Sequence, residues 1–263
     1  MKLISIVTVV YNGEKYLKDT IESVVRNKNN FVEYIVIDGG SIDETIKIAM
    51  CYKNSIDIFI SEPDLGIFDA MNKGASIANG KYIWFLNSDD FLIDGAISLI
   101  LEKIFNENND LDVIYGDIIS KTKTGKYINC PTPNKILPKY FYNLPLHHPG
   151  SLVKKQLFNE FGGFNIEYKY SADYDLFLRL ILNNARFTKV NGNLACMREG
   201  GLGTINLEKS LLEFEKSLFI NKNSIFILSK AKIRRKLLLL INNNFMKKIH
   251  IKLRVLRYGS KNS

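Results

Sequence analysis

Acidic side chains in this chain gather at the ends of apolar runs, where a carboxylate can meet a ligand. Asp38 closes the run Tyr34-Ile35-Val36-Ile37 and precedes Gly39-Gly40-Ser41. There a carboxylate could accept hydrogen bonds from a nucleoside while the glycines allow close approach. Asn87, Ser88, Asp89 and Asp90 follow Trp84-Phe85-Leu86, the end of the most hydrophobic run. Carboxylates crowded at such a point repel one another unless a cation lies among them, and Mg2+ or Mn2+ binds one or two carboxylates together with substrate phosphates. Asp89 is the expected metal ligand. Asp173 opens a segment in which Leu176, Phe177 and Leu180 share a helical face, and amides at a helix start keep a carboxylate ionised and able to take a proton. Each acid also has a plainer reading on its own: a turn for Asp38, a helix cap for Asp43, Asp90 and Asp173.

The elements that must position these acids alternate. Residues 3–10 form a nearly continuous β-branched run, as a strand covered on both faces requires. Leu17, Ile21, Val24 and Val25 then follow helical spacing over 15–26. A strand at 34–37, a helix marked by Ile46, Ala49 and Met50, a strand at 56–61, a helix over 67–78 and a strand over 82–86 continue the pattern. Right-handed crossovers of this kind build an α/β fold with a mostly parallel central sheet and helices on both faces, binding ligands at the carboxyl ends of the strands. A helix near 96–105, a hairpin of 113–120 with 126–129, a Pro-rich and aromatic loop over 130–149, a strand at 151–153 and a helix near 156–161 make the later half less regular.

Taken together and in this order, "TVVYN", "VIDGGSIDET", "NKGASIANGKYIWFLNSDD" and "ADYDLFLRL" resemble the family 2 glycosyltransferases of GT-A fold over roughly residues 3–200. The nearest likeness is to bacterial enzymes that add sugars to lipid-linked precursors of O-antigen, capsule or exopolysaccharide, in which the stretch from Pro63 to Gly74 is also typical. The resemblance implies that Thr8 and Tyr11 border the nucleobase of a nucleotide-sugar donor and that Asp38 binds its uridine portion. It also implies that Asp69, Asn72 and Lys73 lie near the donor, that Asp89 is the last acid of a D-x-D motif, and that Asp173 is the acceptor-activating base. Asn87 replaces the first acid of D-x-D and Ala172 the acid that often precedes the base. Asn87 and its neighbour Ser88 are then donor contacts. The expected reaction is a single in-line displacement that inverts the anomeric centre, with Mn2+ or Mg2+ as cofactor.

His147 and His148 precede Pro149-Gly150, and only His250 lies elsewhere, so a histidine-rich metal site is excluded. One of the pair could touch the diphosphate or the acceptor, or simply pack in the loop. Gly200-Gly201-Leu202-Gly203 reads as a flexible segment over the site or a plain turn cluster. Cys51, Cys130 and Cys196 are widely spaced, with no C-x-x-C pair, and read as reduced residues of a cytoplasmic protein.

The 263 residues carry 36 basic and 27 acidic side chains, but no acid follows Glu215, and 13 of the basic residues lie in 216–263. The body is therefore near −4 and the tail near +13. Two parts are expected: a catalytic domain over 1–215 and a basic amphipathic helical tail over 216–263. Lys232, Arg234, Arg235, Lys236, Lys247, Lys248, Lys252, Arg254 and Arg257 alternate with apolar clusters there. Such a tail suits an anionic membrane surface, where a lipid-linked saccharide acceptor resides, and places the protein peripherally on the inner face of the cell membrane. A helix packed on the domain, or nucleic-acid binding, are the other readings of the tail. No nucleic acid is expected, because the acidic strand ends would then have no purpose. The short apolar start lacks a signal-peptide cleavage site, and no apolar run approaches the roughly 20 residues that span a bilayer. A nucleotidyltransferase would need a basic, glycine-rich loop after the first strand, and a dinucleotide oxidoreductase a G-x-G-x-x-G; neither occurs.

Overall fold

The computed structural model describes residues 1–107, 111–136, 144–222 and 225–241. Chain order gives β1 (Ile4–Val10), α1 (Leu17–Asn27), β2 (Val32–Asp38), α2 (Thr45–Cys51), β3 (Ile58–Ser61), α3 (Ile67–Ile77) and β4 (Tyr82–Phe85). Next come β5 (Phe91–Leu92), α4 (Ala96–Asn106), β6 (Val113–Lys121), β7 (Tyr127–Cys130), β8 (Ser151–Lys154), α5 (Lys155–Glu160) and α6 (Ala172–Leu182). The described chain ends with β9 (Phe187–Arg198), α7 (Leu202–Ile205), α8 (Leu207–Lys222) and α9 (Ile225–Ile241).

One sheet runs β3-β2-β1-β4-β8-β6-β9-β5, with β7 paired to β6. The expected parallel arrangement holds across β3, β2, β1 and β4, because each is joined to the next by a helix. Beyond β4 the sheet is mixed. Strand β8 runs antiparallel to β4 and β6, β5 is antiparallel to β9, and β9 returns parallel to β6. Both β5 and β9 went unpredicted. Strand β5 has two residues, and Asn191-Gly192-Asn193 interrupts the apolar pattern of β9 where its register with β6 shifts near Asp117.

Apolar side chains cover both faces. Ile4, Ile6 and Val10 pack with α1 and α4 through Leu17, Ile21, Val24, Ile97, Ile100 and Ile104. Val7 and Val9 face α3, α5 and α6 through Phe68, Met71, Phe158, Leu176 and Phe177. Each large apolar side chain taken fully from water stabilises the fold by about 1.5–3 kcal/mol, so the alternation along β1 anchors it between two layers. A buried carboxylate ties the layers together: Glu33 on β2 accepts from Ser5 Oγ at 2.6 Å, from Asn79 N at 2.8 Å and from Asn79 Nδ2 at 2.7 Å.

The expected division after Glu215 falls inside α8. Helices α8 and α9 dock on α6 through Phe214, Leu218 and Ala231 against Leu178, and Arg235 Nε on α9 bonds Glu215 at 2.9 Å. There is no break in packing at that point. Lys247, Lys248, Lys252, Arg254 and Arg257 lie outside the described residues, as does the rest of the tail expected after Ile241. Among the described residues no helix is long and apolar enough to cross a membrane.

Candidate active site

Parallel pairing aligns the carboxyl ends of β3, β2, β1 and β4 on one edge, and the direction of strand addition reverses at β1, which opens a crevice there. The loops on this edge are laced together. Asn12 N donates to Ser41 Oγ at 2.8 Å, Ile42 N to Asn12 Oδ1 at 3.0 Å, and Gly13 N to Thr45 Oγ1 at 2.8 Å. Gly13 is required by close approach, since a Cβ there would lie 2.4 Å from Val10 Cγ2 and 3.3 Å from Ser88 Oγ. Tyr11, 63% exposed, stands beside this edge.

Because β8 is antiparallel to β4, it begins where β4 ends, with Leu152 opposite Trp84. The residues before β8 are thereby delivered to the Asn87–Asp90 loop. Trp84 Nε1 donates to Pro149 O at 2.8 Å and fixes the turn that carries His148. Gly150 permits the approach, because a Cβ would lie 2.6 Å from Ile118 Cγ2. His148 Nδ1 sits 3.4 Å from Asp173 Oδ2, with the side chains 18% and 31% exposed. Burial by itself would lower the His148 pKa; the hydrogen bond and charge of Asp173, then the charges of Asp90 and Asp89, outweigh it and raise the pKa above the ordinary histidine value. Four side chains from three separate segments of the chain thus share one electrostatic neighbourhood.

Their roles differ. Asp90 is 2% exposed and its carboxylate accepts Arg198 N at 2.9 Å. Burial, reinforced by the Asp89 charge, pushes its pKa up to about 7 against the opposing pull of His148 and Arg198. It fastens β9 to the loop. The half-buried Asp89 has no hydrogen-bond partner for its carboxylate among the described residues, while Asn87 Oδ1 and His148 Nε2 are buried polar atoms with none. The carboxylate and amide oxygens of Asp89 and Asn87 suit Mg2+ or Mn2+, whereas the imidazole of His148, held against Asp173, does not. Among the described residues no three His, Cys, Asp or Glu side chains form a ready metal cluster. The residues therefore fit a cation held jointly by Asp89 and a diphosphate, and do not form a protein-only cage.

Asp173 lies in the first turn of α6, and its Oδ1 accepts Tyr174 N at 2.8 Å. Its neighbour Asp175 is structural: it is 3% exposed and joins Arg179 Nε at 2.8 Å and Ser217 Oγ at 2.6 Å. Arg179 also donates to the carbonyls of Phe161 and Gly163, which holds the loop before α6.

Three residues expected at the donor are engaged within the fold. Thr8 is fully buried on the face of β1 turned to α1, and its hydroxyl pairs with Tyr34 OH at 3.3 Å, so it has no surface for a nucleobase. Asp38 is also fully buried. Its oxygens accept from Ser41 Oγ, Ser41 N at 3.0 Å, Gly40 N at 3.2 Å and Ser61 Oγ at 2.7 Å, so it organises its own loop. Asn72 brackets the backbone of Phe164, donating to its carbonyl at 2.8 Å and accepting its N–H at 3.0 Å, which occupies both ends of the amide. Asp69, in the first turn of α3, and Lys73, one turn further along it, stay together: Lys73 bonds Glu62 at 3.0 Å and lies 3.6 Å from Asp69. Ser88 belongs to the β4 loop, and its carbonyl accepts Thr20 Oγ1 at 2.8 Å. His147 contributes its carbonyl, which accepts Gly150 N and Ser151 Oγ, both at 3.0 Å.

Sequence reading missed Arg198. At the end of β9 it donates to Asp89 O at 2.6 Å and to Asp19 Oδ2 at 2.5 Å, and its guanidinium lies 4.5 Å from the Tyr16 ring centroid and 4.9 Å from that of Phe91. The short pairing of β5 with β9 brings it there, and no local sequence signal announces that pairing.

A mixed α/β sheet with a parallel nucleotide-binding half, its acids gathered where an antiparallel strand meets the reversal of strand order, defines the GT-A class of glycosyltransferases. The profile of glycosyl transferase family 2 matches residues 5–162, and the chain belongs to that family. A PGL/p-HBAD biosynthesis glycosyltransferase of Mycobacterium bovis is 27% identical over 216 residues, covering 80% of this chain and 83% of the relative. An uncharacterized glycosyltransferase of Rickettsia bellii is 29% identical over 212 residues, covering 73% of this chain and 31% of its own length. S. aureus TarS 1-349 in complex with UDP-GlcNAc superposes with TM-score 0.67 at 19% identity, covering 83% of this chain and 67% of that one. The mannosyltransferase PcManGT of Pyrobaculum calidifontis, in complex with GDP-Man and Mn2+, gives TM-score 0.64 at 11% identity over 99% of this chain and 76% of that one.

Proposed function

We propose that this glycosyltransferase is metal-dependent and inverting, and that it moves a sugar from a UDP-sugar to a hydroxyl of a lipid-linked saccharide in cell-surface polysaccharide synthesis. The observation that carries the reading is that His148, on the turn that Trp84 Nε1 holds at the end of β4, lies 3.4 Å from Asp173 in the first turn of α6, which brings the α6 acid to the Asn87–Asp90 loop. Nucleotide-sugar complexes of the two structural neighbours, one of them with Mn2+, support a donor and a cation of the same kinds.

Asp173 takes the proton of the acceptor hydroxyl as its oxygen forms the new bond to the anomeric carbon, while the bond to the diphosphate oxygen breaks on the opposite face. His148, held against Asp173 Oδ2, orients the carboxylate, and Tyr174 N fixes its other oxygen. Asp89 would hold a divalent cation, which would supply charge neutralisation for the departing diphosphate. Arg198 keeps the Asp89 carbonyl in place from behind. Tyr11, Asn87 and Ser88 border the donor, with Asp69 and Lys73 on the neighbouring first turns of α3.

The membrane part of the reading is supported by apolar side chains left exposed from α7 to α9, namely Leu202, Ile205, Leu212, Phe219, Ile220, Ile233 and Leu237. They alternate with Lys209, Lys216, Lys222, Lys230, Lys232 and Lys236. Apolar and basic side chains interleaved in this way favour an anionic bilayer surface, on the cytoplasmic face where lipid-linked precursors are built. Calorimetry with a panel of UDP-sugars, with and without Mn2+, followed by UDP-release assays, tests the donor assignment. Absence of binding to every UDP-sugar in the presence of Mn2+ removes it.

A further inference from the structure

A pocket of about 220 Å³ opens beside Asp173, and the helix that closes its far side is α8. Its walls are fixed by bonds between the approach to α6 and α8. Glu213 accepts the backbone N–H groups of Lys169 at 2.8 Å, Tyr170 at 2.8 Å and Ser171 at 3.0 Å. Ser171 Oγ lies 2.8 Å from both the carbonyl and the hydroxyl of Ser210, and the Tyr174 and Phe214 rings pack at 4.2 Å between centroids. The gap is therefore built in before any ligand arrives.

Its lining has a definite chemistry. Tyr170, Tyr174 and Leu211 present aromatic and apolar faces, Ser171 and Ser210 present hydroxyls, and Asp173 brings a carboxylate. Among the described residues no Lys, Arg or His lines it; Lys209 lies over the Tyr170 ring at 5.9 Å from its centroid, outside the lining. A phosphate here would meet the Asp173 charge with no cation in the described lining to offset it; His148, 3.4 Å from Asp173 Oδ2, is not part of that lining. The volume is below the roughly 300–1,000 Å³ that encloses a drug-sized molecule, which suits one ring and not a chain of rings.

We propose that this pocket seats the acceptor's reacting unit as a single neutral hydroxylated ring, a sugar or a phenol, and that Tyr170 and Leu211 select it against phosphorylated acceptors. The assignment rests on Asp173 being the base of the proposed transfer and deepens that reading. Saturation-transfer NMR on the full chain, with methyl β-glucopyranoside, phenol and glucose 6-phosphate as probes, tests it, and calorimetry of UDP with Mn2+ runs in parallel. The wild type should bind one or both neutral rings and not glucose 6-phosphate, and the ring that binds more tightly identifies the source. Leu211→Trp, which fills the pocket, and Tyr170→Ala, which removes a face without adding bulk, should each weaken ring binding by about fivefold or more, the scale of one aromatic contact, with UDP affinity unchanged. Ring binding equal in wild type and both variants, no ring binding at all, or glucose 6-phosphate bound as tightly as the neutral ring overturns the assignment. A ring that binds and responds to the variants while UDP does not bind supports the pocket and overturns only the donor reading.

Discussion

Replacing Asp173 by Asn separates catalysis from structure because the two consequences differ in size. The amide keeps an oxygen to accept Tyr174 N, so the 2.8 Å bond persists. What is lost is the negative charge opposite His148 at 3.4 Å, between side chains 18% and 31% exposed. A half-buried charged hydrogen bond contributes about 1.5–3 kcal/mol, so the variant should melt no more than about 3–12 °C below wild type. Loss of a general base costs about 10²- to 10⁴-fold in rate, equivalent to about 3–5 kcal/mol of barrier. UDP affinity should stay as it was, since the proton acceptor faces the acceptor side. Melting temperature, calorimetric UDP affinity and turnover at saturating substrates, all on this one variant, make the assay. Near-normal turnover would refute the base assignment, and a large loss of melting temperature would refute the claim that Asp173 has little structural weight.

Asp89→Ala should abolish the gain in UDP affinity that Mn2+ confers and leave metal-free UDP affinity unchanged, because a cation shared with the diphosphate loses its carboxylate; an unchanged Mn2+ effect in calorimetry would contradict it. Glu33→Ala removes a charged acceptor from three donors, the fully buried Ser5 Oγ and the N and Nδ2 of Asn79 at the rim of the fold. Urea unfolding should show a loss of about 3 kcal/mol or more, and a loss below about 1 kcal/mol would mean that water replaces the carboxylate. A chain ending after Ile241 retains the Ala231 and Arg235 contacts on α6 and α8. It should stay folded and bind UDP while sedimenting more weakly with anionic vesicles, since the truncation removes six basic residues, each contributing about 1 kcal/mol near the surface, and leaves the apolar and Lys side chains of α7 to α9 in place. Equal sedimentation of both chains would remove the tail from membrane attachment.

Local signals in the sequence carried the first half of the fold. β-branched runs at β1 and β2, helical spacing in α1 and α3, and an acid or amide after each strand are short-range properties, and parallel winding puts those ends on one edge. The same signals singled out Asp89 and Asp173 as candidates, since one follows a strand and the other begins a helix. Whether a strand-end acid faces a ligand was not legible. Asp38 and Asp89 look alike in sequence, yet Asp38 is enclosed by Ser41, Gly40 and Ser61 while Asp89 stays open. The difference lies in how far the neighbouring loops fold back over each carboxylate. The pairing of His148 with Asp173 likewise depends on β8 running antiparallel to β4, and the grip of Arg198 on the Asp89 loop depends on two residues of β5 pairing with β9. Those are contacts between segments some 25 to 110 positions apart in the chain, set by strand direction and sheet order, which residue periodicity does not encode.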